Sequence, residues 1–241
     1  MPARDRGRRD RISVVGGADL VADDGVLVGY PAERGLPGPL YLGPGAVLRS
    51  GTVLYTGSRI GRRLSTGHGV VVREECEIGD DVSIWSGSVV DYGCRLGAGV
   101  KVHANCYVAQ YSELEEGAFL APGVSFANDV LPGHPVSADL MLGPSIGAGA
   151  QLGVNVTVLP FVRIGAGCVV GAGSVVTRDL PDGTLAFGNP ARVTGPAARA
   201  ATEVLARVSG SPTLRARLRA RPGPAGDGGT GASGREPGGD R

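Results

Sequence analysis

The stretch Cys76-Glu-Ile78-Gly-Asp-Asp-Val82-Ser-Ile84-Trp-Ser-Gly-Ser88-Val-Val90-Asp-Tyr-Gly-Cys94-Arg-Leu96 decides the fold. Ile78, Ile84, Val90 and Leu96 stand six residues apart, and the fourth residue after each (Val82, Ser88, Cys94, Val100) is small or β-branched. Working outward, the same ladder begins at Leu42 and runs through Leu48, Leu54, Ile60, Thr66 and Val72. It continues through Val102, Val108, Leu114 and Leu120 to Phe126, with Thr66 its one polar member. After a break it resumes at Ile146, Leu152, Val158, Ile164, Val170 and Val176. A period of six fits neither an amphipathic helix nor a long alternating strand. It is the period of a parallel β-helix built from hexapeptides, in which the large residue points inward and the small one fits beside it. Three hexapeptides close one coil of roughly eighteen residues, and coils stack about 4.8 Å apart. The expectation is an all-β solenoid of about seven coils.

Composition agrees with one such domain. The chain has 241 residues, a formal net charge of +1 and 42 glycines, many of them at the corners of the repeat. Lys101 is the only lysine. No apolar run is long enough for a membrane span, and residues 1–11 lack the apolar segment of a signal peptide. A cytoplasmic protein is expected, with no membrane association. The arginine-rich start is diluted by Asp5 and Asp10 and has no aromatic company, so no nucleic-acid partner is expected. Cys76, Cys94, Cys106 and Cys168 all occupy the small inward site, so packing explains their spacing and no metal is expected.

In chain order, residues 1–41 read as a tail, disordered over 1–11, followed by irregular strands that cap the first coil. Residues 42–181 are the solenoid, and residues 127–145 interrupt it with Pro132-Gly-His-Pro135. That segment reads as an extruded loop. Residues 182–195 leave the solenoid, and residues up to 220 carry Val204, Leu205, Val208, Leu214 and Leu218 at helical spacing, broken near Gly210–Pro212. Such a helix would cover the solenoid's C-terminal end. Residues 221–241 are rich in Gly and Pro and read as disordered.

Residues eighteen apart lie above one another, so Trp85 should stack on His103. Glu74, Tyr92, Gln110 and Asn128 should form a second column, pointing outward because the ladder fills the interior.

Three segments together resemble the hexapeptide-repeat acyltransferases, in the manner of those acting on sugars and sugar nucleotides. They are the ladder, the loop Phe126-Ala-Asn-Asp with Pro132-Gly-His-Pro135, and Ile164-Gly-Ala-Gly-Cys-Val-Val-Gly-Ala-Gly-Ser-Val-Val-Thr-Arg-Asp179 continuing to Gly188-Asn-Pro-Ala-Arg-Val193. The resemblance implies a left-handed coil, a homotrimer with active sites between subunits, and acetyl-CoA as co-substrate. It implies that Ala148, Ala166, Ala172, Thr177 and Arg178 line the CoA path and that Arg192 pairs with a CoA phosphate.

Acyl transfer from a thioester profits from a base near pH 7 and from donors to the developing oxyanion. The chain has three histidines, His68, His103 and His134. His134 or His103 would accept the proton, with Asn128 beside them as a catalytic candidate and Asp129 and His68 as substrate-binding ones. Trp85, Tyr92 and Gln110 would contact a base or sugar. Surface histidines, an Asx turn at Asn128–Asp129 and packing between subunits are the bland alternatives. The resulting expectation is an N-acetyltransferase acting on an amino sugar or sugar nucleotide. O-acetylation of a sugar hydroxyl is the nearest alternative, and a non-catalytic scaffold or a γ-carbonic-anhydrase-like protein the more distant ones.

Overall fold

The computed structural model describes residues 14–32 and 38–220. The disorder expected for residues 1–11 and 221–241 falls outside the described residues. The chain winds as a left-handed parallel β-helix with three faces, whose sheets hold eight, ten and eight strands. Each strand pairs in parallel with the one a coil later. Glu77 pairs with Arg95 and then Glu113 on the first face, Ser83 with Lys101 and Phe119 on the second, and Val89 with Tyr107 and Ser125 on the third. Strands are mostly two residues long, and corners join one face to the next.

The six-residue ladder is the core. Leu48, Leu54, Val72, Ile84, Val90, Val102, Val108, Leu120, Ile146 and Ile164 are all at most 1% exposed. Thr66 is accommodated because its hydroxyl meets that of Thr52 at 2.9 Å. The companion sites Cys76, Val82, Ser88, Cys94, Val100 and Cys106 are buried as the pattern requires. Val130, which continues their numbering, is instead 44% exposed, because the chain has left the coil at Ala127. Each buried Val, Leu or Ile contributes roughly 1.5–3 kcal/mol, and a charge placed at one of these sites has no partner inside. The corners need two kinds of glycine. A Cβ on Gly67 would sit 2.3 Å from the backbone nitrogen of Ser86 in the next coil, and Gly87 takes φ +71°, which few side chains tolerate.

The solenoid starts earlier than its sequence pattern. Val14–Gly16, Val21–Ala22 and Leu27–Tyr30 form a full coil, rather than the irregular lead-in the sequence suggests. Gly16, Ala22 and Val28 pair with Leu42, Leu48 and Leu54. The six-residue spacing is therefore present, but the large inward side chains are replaced by hydrogen and methyl at the open end. The eight strands of the first face count one coil more than the ladder alone.

At the other end, Leu180 bridges to Ile164, and Thr184–Gly188 adds in parallel to Val169–Val170 on the second face. Ala191–Pro196 then folds back antiparallel, so residues 184–196 extend the second face as a hairpin. Helix α1 (Ala198–Ser209) and helix α2 (Pro212–Arg219) follow, and residues 201–220 belong to a separate compact unit. The break between them is local chemistry. Ser211 Oγ accepts from the Leu214 N–H at 3.3 Å, and Pro212 takes the first helical position, where no N–H is needed.

Candidate functional site

The candidate residues collect at corners of the prism, which we call the first, second and third edges after the face each one follows. At the second edge, Trp85 and His103 stack with ring centroids 4.2 Å apart and planes at 14°. Phe119 also lies against His103, with centroids 4.9 Å apart and planes tilted at 53°. Column pairing produces this stack, since Ser83–Lys101–Phe119 is one register column and Trp85 and His103 follow two residues later. His68 occupies the same edge two coils earlier. Its Nδ1 meets Ser50 Oγ at 2.9 Å, and its backbone N–H donates to Ser86 Oγ at 3.0 Å. It therefore lies in register with Ser86, one residue beyond Trp85.

The third edge is a hydrogen-bonded network. Asp91 is 7% exposed, and its carboxylate takes three donors: the Tyr107 hydroxyl at 2.8 Å, Gln110 Nε2 at 2.6 Å and the Tyr92 backbone N–H at 2.8 Å. Gln110 Oε1 in turn accepts from Asn128 Nδ2 at 2.6 Å. Burial first, and the Asp91 carboxylate second, push the Tyr107 phenol up to about 12. One coil before Asp91, Arg73 holds the Glu74 carboxylate through two bonds of 2.8 and 2.9 Å and lies over the rings of Tyr55 and Tyr92. Tyr111 closes the edge in the left-handed region at φ +59°, its ring edge-on to Tyr92 at 5.4 Å.

This corrects the expectation of an outward polar column. Glu74 is fully buried, and Gln110 and Asn128 are half-buried with their amides engaged. A carboxylate can lie inward because arginine and amide donors reach it. Asp91 and Tyr107 escape sequence reading for a simple reason. Asp91 bonds residues 16 and 19 positions away, whereas column reading pairs only those 18 apart.

The third edge also anchors the extruded loop. The next first-face strand, due at residue 131, comes at Ser145–Ile146. Leu142 N–H donates to Asn128 O at 2.9 Å and Gly143 N–H to Gln110 O at 3.0 Å, so the returning end is tied to the same two residues. Asp129 caps the loop's start by accepting from the Leu131 N–H at 2.8 Å, as an Asx turn does, and it also accepts from the buried Ser137 hydroxyl. His134 is exposed, and its Nδ1 accepts from the Val136 N–H at 3.3 Å.

The expected cofactor residues are not brought together within one chain. Ala148 and Ala166 follow first-face strands, Ala172 a second-face strand, and Thr177 and Arg178 a third-face strand. Arg192 lies in the hairpin opposite Phe187 and is exposed. Thr177 and Arg178 continue the third edge two coils beyond Asn128, about 10 Å along it.

A shallow depression of about 700 Å³ lies elsewhere, on the first face, over Tyr41, Arg59, Glu77, Arg95 and Glu113. Its charges satisfy one another: Arg59 covers Tyr41 at 4.1 Å, and Arg95 reaches Glu77 and Glu113 at 3.5 and 3.3 Å. It holds none of the candidate residues. Among the described residues, no three of His, Cys, Asp and Glu converge as a metal-binding group, and no helix is long and apolar enough to cross a membrane.

Residues 57–92 and 143–178 match the bacterial transferase hexapeptide family, and residues 77–110 match the hexapeptide repeat of succinyl-transferase. The chain is 48% identical over 67 residues to a galactoside O-acetyltransferase of Lactococcus lactis, covering 25% of this chain and 32% of that protein. It is 50% identical over 52 residues to serine acetyltransferase 4 of Arabidopsis thaliana, covering 22% and 15%. The chain thus spans a third or less of the length of these curated relatives. Among solved structures, a mutant GDP-perosamine N-acetyltransferase of Caulobacter crescentus, in complex with CoA and GDP-perosamine, is 28% identical. That match covers 76% of this chain and 58% of the other, with a TM-score of 0.33.

Proposed function

We propose, starting from its membership of the hexapeptide-repeat transferase family, that this chain is a CoA-dependent acyltransferase moving an acetyl group from acetyl-CoA to a small acceptor. The acceptor we favour is the amine of an amino sugar or sugar nucleotide. The observation that carries the reading is the third edge, where Gln110 and Asn128 tie both ends of the loop bearing His134 to the solenoid. A histidine on a segment held to a rigid scaffold is placed for proton transfer.

In this reading the acceptor's lone pair attacks the thioester carbonyl, and the proton passes to His134 or His103. Backbone N–H groups hold the oxyanion, and the proton then follows the leaving thiolate. His134 is the stronger candidate, because it is exposed on the loop, whereas His103 is half-buried against Trp85 and Phe119. To act as the base, His134 gives up the long Nδ1 contact to Val136. Trp85, Tyr92, Asp129 and His68 stay candidates for acceptor binding. The CoA set spans three edges, so a single extended ligand can use it only if neighbouring protomers each lend an edge. This supports a homotrimer of about three times 24.4 kDa with sites between subunits. A cytoplasmic location fits the nature of the co-substrate.

A hydroxyl acceptor is the second reading, favoured by the relative named as a galactoside O-acetyltransferase.

Calorimetric titration with acetyl-CoA and longer acyl-CoAs tests the proposal, beside sedimentation to weigh the assembly. Binding that is weakened on Arg192→Ala is expected. Binding of no acyl-CoA by the wild-type protein would overturn the reading in favour of a scaffold.

A further inference from the structure

The direction of the hydrogen bonds along the third edge is set by one group. Asp91 accepts in all three of its hydrogen bonds, and two of the donors, Tyr107 and Gln110, converge on the same oxygen, Oδ2. Gln110 must therefore turn its Nε2 toward Asp91 and its Oε1 away. Asn128 must then turn its Nδ2 toward Gln110, at 2.6 Å, which leaves Asn128 Oδ1 pointing out of the chain of bonds. No described group donates to that oxygen. No side-chain nitrogen or oxygen among the described residues is both buried and without a partner, so Asn128 Oδ1 is not sealed from solvent.

We propose that Asp91 is a positioning residue whose carboxylate, acting through Gln110, fixes the Asn128 amide so that its carbonyl oxygen faces the acceptor substrate. The ligand chemistry follows from that polarity: an open carbonyl oxygen receives a donor, here the N–H or O–H that attacks the thioester. The same amide rotated by half a turn would offer only donors and would turn such a group away. This rests on the acyltransferase reading for the identity of the ligand, while the relay itself does not depend on it.

The test uses the full-length protein in wild-type, Asp91→Asn, Asp91→Glu and Asn128→Ala forms. Side-chain amide NMR signals of Gln110 and Asn128 report the orientation of each amide. Transfer from acetyl-CoA is followed by thiol release, with glucosamine and methyl galactoside as probe acceptors. In Asp91→Asn, both amide pairs are expected to move, and KM for the acceptor to rise about tenfold, the scale of one misdirected hydrogen bond. KM for acetyl-CoA should stay within about twofold, because the thioester does not use this oxygen. Asp91→Glu, which keeps an acceptor-only group, should restore much of the acceptor KM, and Asp91→Asn should add little on top of Asn128→Ala.

Unmoved Asn128 signals in Asp91→Asn, or equal rises in both KM values, would overturn the proposal. If Asp91→Asn does not fold, Gln110→Met cuts the relay one link later and must reproduce the acceptor-selective loss. If the wild-type protein acetylates neither probe, the acceptor reading loses its support, and the amide signals alone decide whether the relay exists.

Discussion

Along the second edge Trp85 and His103 stack with ring centroids 4.2 Å apart, and Phe119 lies tilted against His103 at 4.9 Å. Along the third edge Asp91, Tyr107, Gln110 and Asn128 join through bonds of 2.6 to 2.8 Å. Both edges come from the same repeat, which sets one coil about 4.8 Å above the next. That spacing suits flat rings lying over one another. Polar side chains bridge it too, as Asn128 does to Gln110 one coil earlier at 2.6 Å, and Asp91 also draws in Tyr107 and Gln110 diagonally from neighbouring positions. The stack ends at Phe119, while the network passes through Asn128 into the loop. The third edge can therefore transmit position to His134, and nothing in the second edge can.

The largest expected effect follows from that difference. His134→Ala should lower kcat by about 10²-fold or more, the usual size of a lost general base. His103→Ala should cost at most about tenfold, since it removes the middle of a stack rather than a proton acceptor. Steady-state kinetics with acetyl-CoA and an accepted probe decide the matter. The reverse order would move the chemistry to the second edge.

Stability comes next. Glu74→Ala removes the buried carboxylate that holds the Arg73 guanidinium over Tyr55 and Tyr92 and should cost about 3 kcal/mol, at the low end for a buried pair because Arg73 is itself 28% exposed. Trp85→Ala removes a ring that is 37% exposed and should cost about 1 kcal/mol. Urea denaturation of the two variants measures both. Equal losses would mean that the two edges are mechanically alike.

A smaller effect appears in alkali. Tyr107 is raised from 10.0 to about 12, so the folded state keeps its proton where the unfolded chain has lost it. Its stabilising share is complete below pH 10 and is lost as pH rises through about 12. Tyrosinate absorbance should show a late-titrating component that is absent in Tyr107→Phe and earlier in Asp91→Asn.

The smallest change should be in the interior that both edges share. All four cysteines are free and buried. The thiol is pushed up at Cys76 by the neighbouring Cys94 and by burial, and at Cys106 by burial. Labelling with a thiol reagent should be negligible in the native protein and complete in denaturant. Rapid native labelling would show the coils to be looser along one edge than described.

Much of this was legible in the residues. The ladder from Leu42 to Phe126 named the inward side chains, and column counting put Trp85 on His103. The coil at Val14–Tyr30 was not legible, because Gly16 and Ala22 stand where large residues mark the repeat elsewhere. Asp91 and Tyr107 were passed over, because the column rule cannot see diagonal bonds. The CoA residues looked like one set along the sequence, and the winding of the coil distributes them over three edges.

By itself the sequence determined the period, the inward set, the corners and the place where the loop leaves. Each of these depends on residue type at a fixed local spacing, and burial of apolar surface enforces it coil by coil. The tertiary structure alone decided which polar groups meet. Glu74 lies inside because its neighbour Arg73 holds it, and Asp91 lies inside because Tyr107 and Gln110 come from the next coil to satisfy it. A charge is buried only where such partners converge, and convergence is a property of the wound chain.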